Sequence, residues 1–129
     1  MLLHEAIEER ALSDELALID GSTRLSFSEL IRHARSVAFA IMSASHDSSA
    51  TNPVGVLAGA HWSSIVALLG VLETGRPYVP LDPAYPTSRL KHMAVDADVR
   101  LLLRAGLDEQ CVDPALEEED GERPPITLF

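Results

Sequence analysis

The apolar positions of this chain change their period along its length, and each change marks an element. Over the first dozen residues Leu3, Ala6, Ile7 and Ala11 share one helical face while Glu5, Glu8, Glu9 and Arg10 lie elsewhere, which predicts a short amphipathic helix. The run Leu16 to Ile19, the turn signal Asp20-Gly21 and the segment Arg24-Leu25-Ser26 predict a β-hairpin whose loop exceeds the two-residue minimum. Ser26 and Glu29 have capping-box spacing, so a helix should begin there with Leu30, Ala34, Val37, Ala38 and Ile41 on its apolar side. A polar stretch over 43–53 closes at Pro53. Val54 to Ala58 then reads as a strand covered on both faces. After the turn Gly59-Ala60-His61, the nearly continuous apolar run from Trp62 to Leu72 predicts a buried helix stopped by a left-handed Gly75.

Pro77 and Pro80 flank Tyr78 and Val79, which limits ladder donors and places this short strand near a sheet edge. Pro86 suits the first turn of a further helix carrying Leu90, Met93, Ala94 and Ala97 at helical spacing, and Val99 to Leu103 supply another strand. From residue 54 the order is strand, helix, strand, helix, strand, for which parallel pairing with right-handed crossovers is the standard solution. The expected architecture is α/β: three αβα layers around a short, mostly parallel sheet, with an N-terminal helix and β-hairpin. The module is expected over 1–104. Residues 105–129 are expected to be an acidic tail, with at most a short helix near Pro114 to Glu119 and a terminal edge strand at Ile126 to Phe129. No internal repeat is visible.

Composition adds limits. A chain of 129 residues with 47% apolar residues suits one domain with a single core. Its formal charge of −10 argues against nucleic acid, because phosphate binding needs clustered Lys and Arg. Eight of the twenty acids lie beyond residue 104, so the imbalance belongs mostly to the tail. Cys111 is the sole cysteine, which rules out an internal disulfide, suits a reducing interior and reads as an incidental thiol beside carboxylates. The longest apolar run, Ile65 to Leu72, is too short to span a bilayer, and Met1-Leu2-Leu3 is followed at once by His4 and Glu5. No membrane association is expected, and the expected location is cytoplasmic.

Candidate chemistry is sparse. Gly59 lies between a strand and a helix, a place where free amides bind anions, yet the glycines at 55 and 59 fit neither the phosphate-loop nor the dinucleotide pattern. A tight turn explains Gly59 and His61 better. The histidines at 4, 33, 46, 61 and 92 are scattered, and the run Glu117 to Asp120 lacks the glycine and alternating ligands of a calcium loop. There is no G-x-S-x-G elbow. Trp62, Tyr78 and Tyr85 read as packing anchors, and Arg89 as a local partner for Asp82. No catalytic, cofactor-binding or metal residue is assigned in this chain.

Two strings carry a resemblance. Residues 72–86 read LETGRPYVPLDPAYP, followed by Arg89-Leu90, and resemble the second core motif of the adenylation domains of nonribosomal peptide synthetases. LSFSEL, 25 to 30, is similar to the first core motif and lies some fifty residues ahead of the second, where that family places it. The resemblance implies a parent family that uses ATP and magnesium to convert an amino or aryl acid into an acyl-adenylate and then a carrier-bound thioester. It also implies that the phosphate loop, the adenine and ribose contacts, the substrate pocket and the catalytic lysine lie later than anything in this sequence. Arg76-Pro77 stands where that family usually has small residues, and Glu73 where it often has Lys.

The expected role is therefore that of a structural or interaction module, catalytically incompetent alone, with no cofactor of its own. Its expected partners are other synthetase domains, a second adenylation half that would complete a split enzyme, or a second copy of the chain. An excised or vestigial fragment is the remaining alternative. An incomplete domain should also expose a strand edge and part of an apolar face.

Overall fold

A computed structural model describes residues 1–45 and 50–107 and the backbone of 127–128. His46, Cys111 and the expected helix near Pro114 lie outside the described residues, as does almost all of the acidic tail.

The chain opens with α1 (Leu3–Glu8), followed by the antiparallel hairpin β1 (Leu16–Asp20) and β2 (Thr23–Ser26). Asp20 pairs with Thr23, so the loop is the two residues Gly21-Ser22 and is tighter than the sequence predicts. Gly21, with φ +58°, supplies the positive dihedral that a two-residue hairpin needs.

The long helix α2 (Phe27–Ala44) starts at the expected capping box. The Glu29 amide donates to Ser26 Oγ at 3.3 Å, and the Ser26 amide donates back to the Glu29 carboxylate at 2.9 Å. That returned hydrogen bond holds the Glu29 carboxyl below its ordinary range. Leu30, Ala34, Val37, Ala38 and Ile41 are buried as predicted, and Ile31 joins them.

Beyond residue 50 come β3 (Val54–Ala58), α3 (Trp62–Glu73), β4 (Tyr78–Leu81), α4 (Thr87–Asp96), β5 (Leu101–Ala105) and β6 (Thr127–Leu128). The four strands form one parallel sheet in the order β4-β3-β5-β6. β4 is an edge strand, in keeping with Pro80 within it and Pro77 just before it. Gly75, at φ +76°, ends α3 with its amide donating to Leu72 O at 2.9 Å.

Period-two alternation divides the sheet between two layers. Val54 and Val56 of β3 and Leu101, Leu103 and Ala105 of β5 face α2 and α3, forming the main core with Ala34, Val37, Val66 and Val71. Leu57 and Leu81 face the other way and meet Leu90 of α4, with Val79, Met93 and Leu102 alongside. The result is the three-layer αβα arrangement, with α1 and the hairpin attached to the α2/α3 side.

Two boundaries differ from the pattern. Pro86 is the residue before α4 rather than inside its first turn, and its carbonyl accepts from the Leu90 amide at 3.1 Å. β5 starts two residues later than Val99, because the end of α4 takes up the Val99 amide. That amide donates back to Ala94 O at 2.8 Å and the Asp98 amide to Val95 O at 3.0 Å, with Asp98 left-handed at φ +53°. This is a Schellman closure built on Asp instead of Gly.

Candidate functional site

In an open parallel sheet, ligands collect outside the carboxyl ends of the strands where the chain reverses its direction of growth. Here β3 leads through α3 to β4 on one side, and β4 returns through α4 to β5 on the other. The crevice to inspect therefore lies beyond Ala58 and Ala105, where the β3–α3 turn meets the residues after β5.

The turn closes on itself. The Gly59 amide donates to Ala105 O at 3.0 Å, extending the ladder by one bond. Ser64 Oγ donates to Gly59 O at 2.6 Å, with Ala105 O at 3.4 Å, and Ser64 is buried. The two loops are in such close contact that a Cβ on Gly59 would stand 2.3 Å from Gly106 O.

The first-turn amides of α3 are occupied as well. The Trp62 amide donates to Asp20 Oδ2 at 2.8 Å, the Ser63 amide to His61 Nδ1 at 3.2 Å, and the Ser64 amide to His61 O at 3.0 Å. His61 Nδ1 also lies 2.7 Å from Ser63 Oγ. Asp20, at the end of β1, thus puts a carboxylate where a helix N-terminus would otherwise attract an external anion. Trp62 lies between two imidazoles, with ring centroids 5.5 Å from His33 and 5.3 Å from His61. The tight-turn reading of Gly59 and His61 agrees with this geometry, whereas the role of Asp20 has no local signal: in sequence it is only a turn residue.

The signature segment 72–90 forms the β4 edge and the entry to α4. Asp82 does not pair with Arg89. Its Oδ1 accepts from the Ala84 amide at 2.8 Å and its carbonyl from the Tyr85 amide at 3.0 Å, which shapes the turn. Arg89 instead stacks over Tyr85, 4.1 Å from the ring centre. Tyr78 and Tyr85 are partly open to solvent rather than packed as anchors. Arg76 is 7% exposed and donates to Asn52 O at 2.7 Å and to Ser45 Oγ at 3.0 Å, tying the α3–β4 turn to the end of α2 and the approach to β3. Burial lowers its pKa below the usual arginine value.

A third cluster joins three helices. Arg35 of α2 grips Glu8 of α1 with two hydrogen bonds, Nε to Oε1 at 2.9 Å and Nη2 to Oε2, and burial first, then the neighbouring Glu8, push the Glu73 carboxyl at the end of α3 up to about 7. No spacing rule reveals this group, because its members are far apart in sequence. Among the described residues no three His, Cys, Asp or Glu side chains come together to hold a metal ion, and no helix is long and apolar enough to cross a membrane.

A family model described as AMP-binding enzyme matches residues 4–128. The chain belongs to the AMP-binding enzyme family. Its relatives within that family include adenylation domains of nonribosomal peptide synthetases, as the two motifs imply. Bacitracin synthase 1 of Bacillus licheniformis is 32% identical over 108 residues, covering 82% of this chain and 2% of that protein. Tyrocidine synthase 3 of Brevibacillus parabrevis is 32% identical over 103 residues, which is 78% of this chain and 2% of the relative. Among solved structures, the nonribosomal peptide synthetase FmoA3 in its α-methyl-L-serine-AMP bound form superposes over 99% of this chain with a TM-score of 0.80 and 24% identity, and the match covers 14% of that chain. This last likeness is one of fold. The adenylation-type module therefore spans a small part of the proteins it resembles.

Proposed function

We propose that these residues are the scaffold wall of an adenylation domain and do not form an acyl-adenylate by themselves. The reading rests on one observation: the helix terminus best placed to bind phosphate, that of α3, is already filled by Asp20 and His61. Adenylation requires neutralising a triphosphate and holding a carboxylate in line with the α-phosphorus. In this reading further adenylation sequence supplies those groups, with ATP and magnesium, on the same polypeptide or on a second one. The module then serves a synthetase system by positioning that sequence and contacting neighbouring domains, in a reducing, cytoplasmic setting.

Amino-acid-dependent exchange of pyrophosphate into ATP tests this. The purified 129-residue chain should give no signal above blank with any amino or aryl acid. A signal that persists through repurification would overturn the proposal. Exchange that appears only when a separately produced later part of an adenylation domain is added would establish a split enzyme, and stable binding without exchange a purely structural module.

A further inference from the structure

The described residues leave the outward face of α2 open. Arg32, Ser36, Phe39 and Ser43 recur at helical spacing on its solvent side, with Arg35 and Met42 beside them. Phe39 is 74% exposed and Met42 63%. The two serines turn their hydroxyls back into the helix, Ser36 to Arg32 O at 3.1 Å and Ser43 to Phe39 O at 2.8 Å, which leaves the apolar side chains to define the face. No carboxylate interrupts α2 between Leu30 and Ala44, whereas α1 is acidic, with Glu5, Glu8 and Glu9, and the residues at its start, Met1, Leu2 and Leu3, are mostly exposed. The chain already joins these two chemistries once, where Glu8 of α1 pairs with Arg35 of α2. We propose that the outward face of α2 binds α1 of a second copy, apolar residues on apolar and acid on base, and that two such contacts close a dimer.

The two helices match in length and order. Leu2 and Glu9, the residues that bound α1, are seven positions apart, and so are Arg32 and Phe39, a span of about 10 Å along a helix. An α1 laid antiparallel on α2 therefore sets Leu2 against Phe39 while Glu9 meets Arg32, with Met1 and Leu3 toward Met42. Within one chain α1 already lies against α2, so both halves of the contact are on one side of the molecule. A two-fold axis can then pair the α1 of each copy with the α2 of the other. Burial of the apolar side chains drives association, and the exposed ion pair adds little energy but fixes direction. The formal charge of −10 makes two copies repel, and salt at about 0.15 M screens that repulsion beyond roughly 8 Å while leaving the direct contact in place.

Sedimentation equilibrium of the full chain in about 0.15 M salt tests this. The wild-type chain should dimerise reversibly across the micromolar range. Phe39→Ser should raise the dimer dissociation constant about tenfold or more, and Arg32→Glu should raise it as well. Adding Glu9→Arg to Arg32→Glu reverses both charges of the pair and should recover most of that loss, which a contact elsewhere on the molecule would not do. Phe39, Arg32 and Glu9 are exposed, so the variants should melt like the wild type when dilute enough to be monomeric. A wild-type chain that stays monomeric into the high micromolar range would refute the proposal. The same holds for a dimer indifferent to Phe39→Ser, or a double charge reversal that restores nothing. Binding of a separately produced later part of an adenylation domain to this face, blocked by Phe39→Ser and in place of self-association, would also sink it.

Discussion

Asp20 shows how a single residue can decide what a site is. It ends β1, begins a two-residue turn and sends its carboxylate to the first amide of α3, Trp62, at 2.8 Å. A charged acceptor on a helix N-terminus combines a hydrogen bond with a favourable dipole interaction. Asp20→Ala should therefore cost about 1–2 kcal/mol, with a smaller loss for Asp20→Asn, which retains an acceptor but not the charge. Urea denaturation at pH 7 measures both. Equal midpoints for Asp20→Ala and wild type would mean that water serves the Trp62 amide equally well and that the carboxylate is not what fills this end of α3.

Between elements, the most extensive contact is that of α2 with α3. A Cβ on Gly70 would stand 2.6 Å from the Val37 Cβ and 2.9 Å from the Ala34 carbonyl, neither of them the end of a flexible side chain. Gly70→Ala gains about 1 kcal/mol of helix propensity but forces two packed helices apart, so the expected net change is a loss of roughly 1–2 kcal/mol. Val37→Ala in the same chain removes the Val37 Cγ1, which would stand equally close at 2.6 Å, and should relieve part of the clash, so the double variant should be more stable than the two single losses added together. Simple additivity in thermal melts would show that the helices do not meet there. Much at this scale was legible in advance, because hydrophobic period and capping chemistry are local: the Ser26–Glu29 box, the apolar face of α2, the Gly75 stop and the proline-marked edge strand all follow from neighbouring residues. The structure departs from the pattern where an unusual residue does a familiar job, as with Asp98 closing α4 and delaying β5. The site was less legible for a physical reason. Asp20 reaches a residue 42 positions away and Arg35 one 27 positions away, and no periodicity encodes such pairings.

At the scale of the whole molecule, the two faces of the sheet are unequally covered by the described residues. Among these, the α2/α3 side buries thirteen in one cluster, whereas the α4 side buries Leu57, Leu81 and Leu90. Local opening free energies follow the buried apolar contacts that each opening breaks. The α4 layer should therefore open well below the global unfolding free energy, while β3, β5, α2 and α3 open only with the whole. Hydrogen exchange of the intact chain should show this order, with amides of residues 90–96 exchanging far faster than those of 66–71 under the same conditions. Leu69→Ala sharpens the test. Emptying this site in the α2/α3 core costs about 2–5 kcal/mol, a loss felt by every opening that breaks that core. If α4 opens independently, Leu69→Ala should speed exchange within α3 by one or more orders of magnitude while leaving exchange in α4 nearly unchanged. Uniform acceleration across both helices would show instead that the sheet and its two layers unfold as one cooperative unit, and that uneven burial does not divide the molecule.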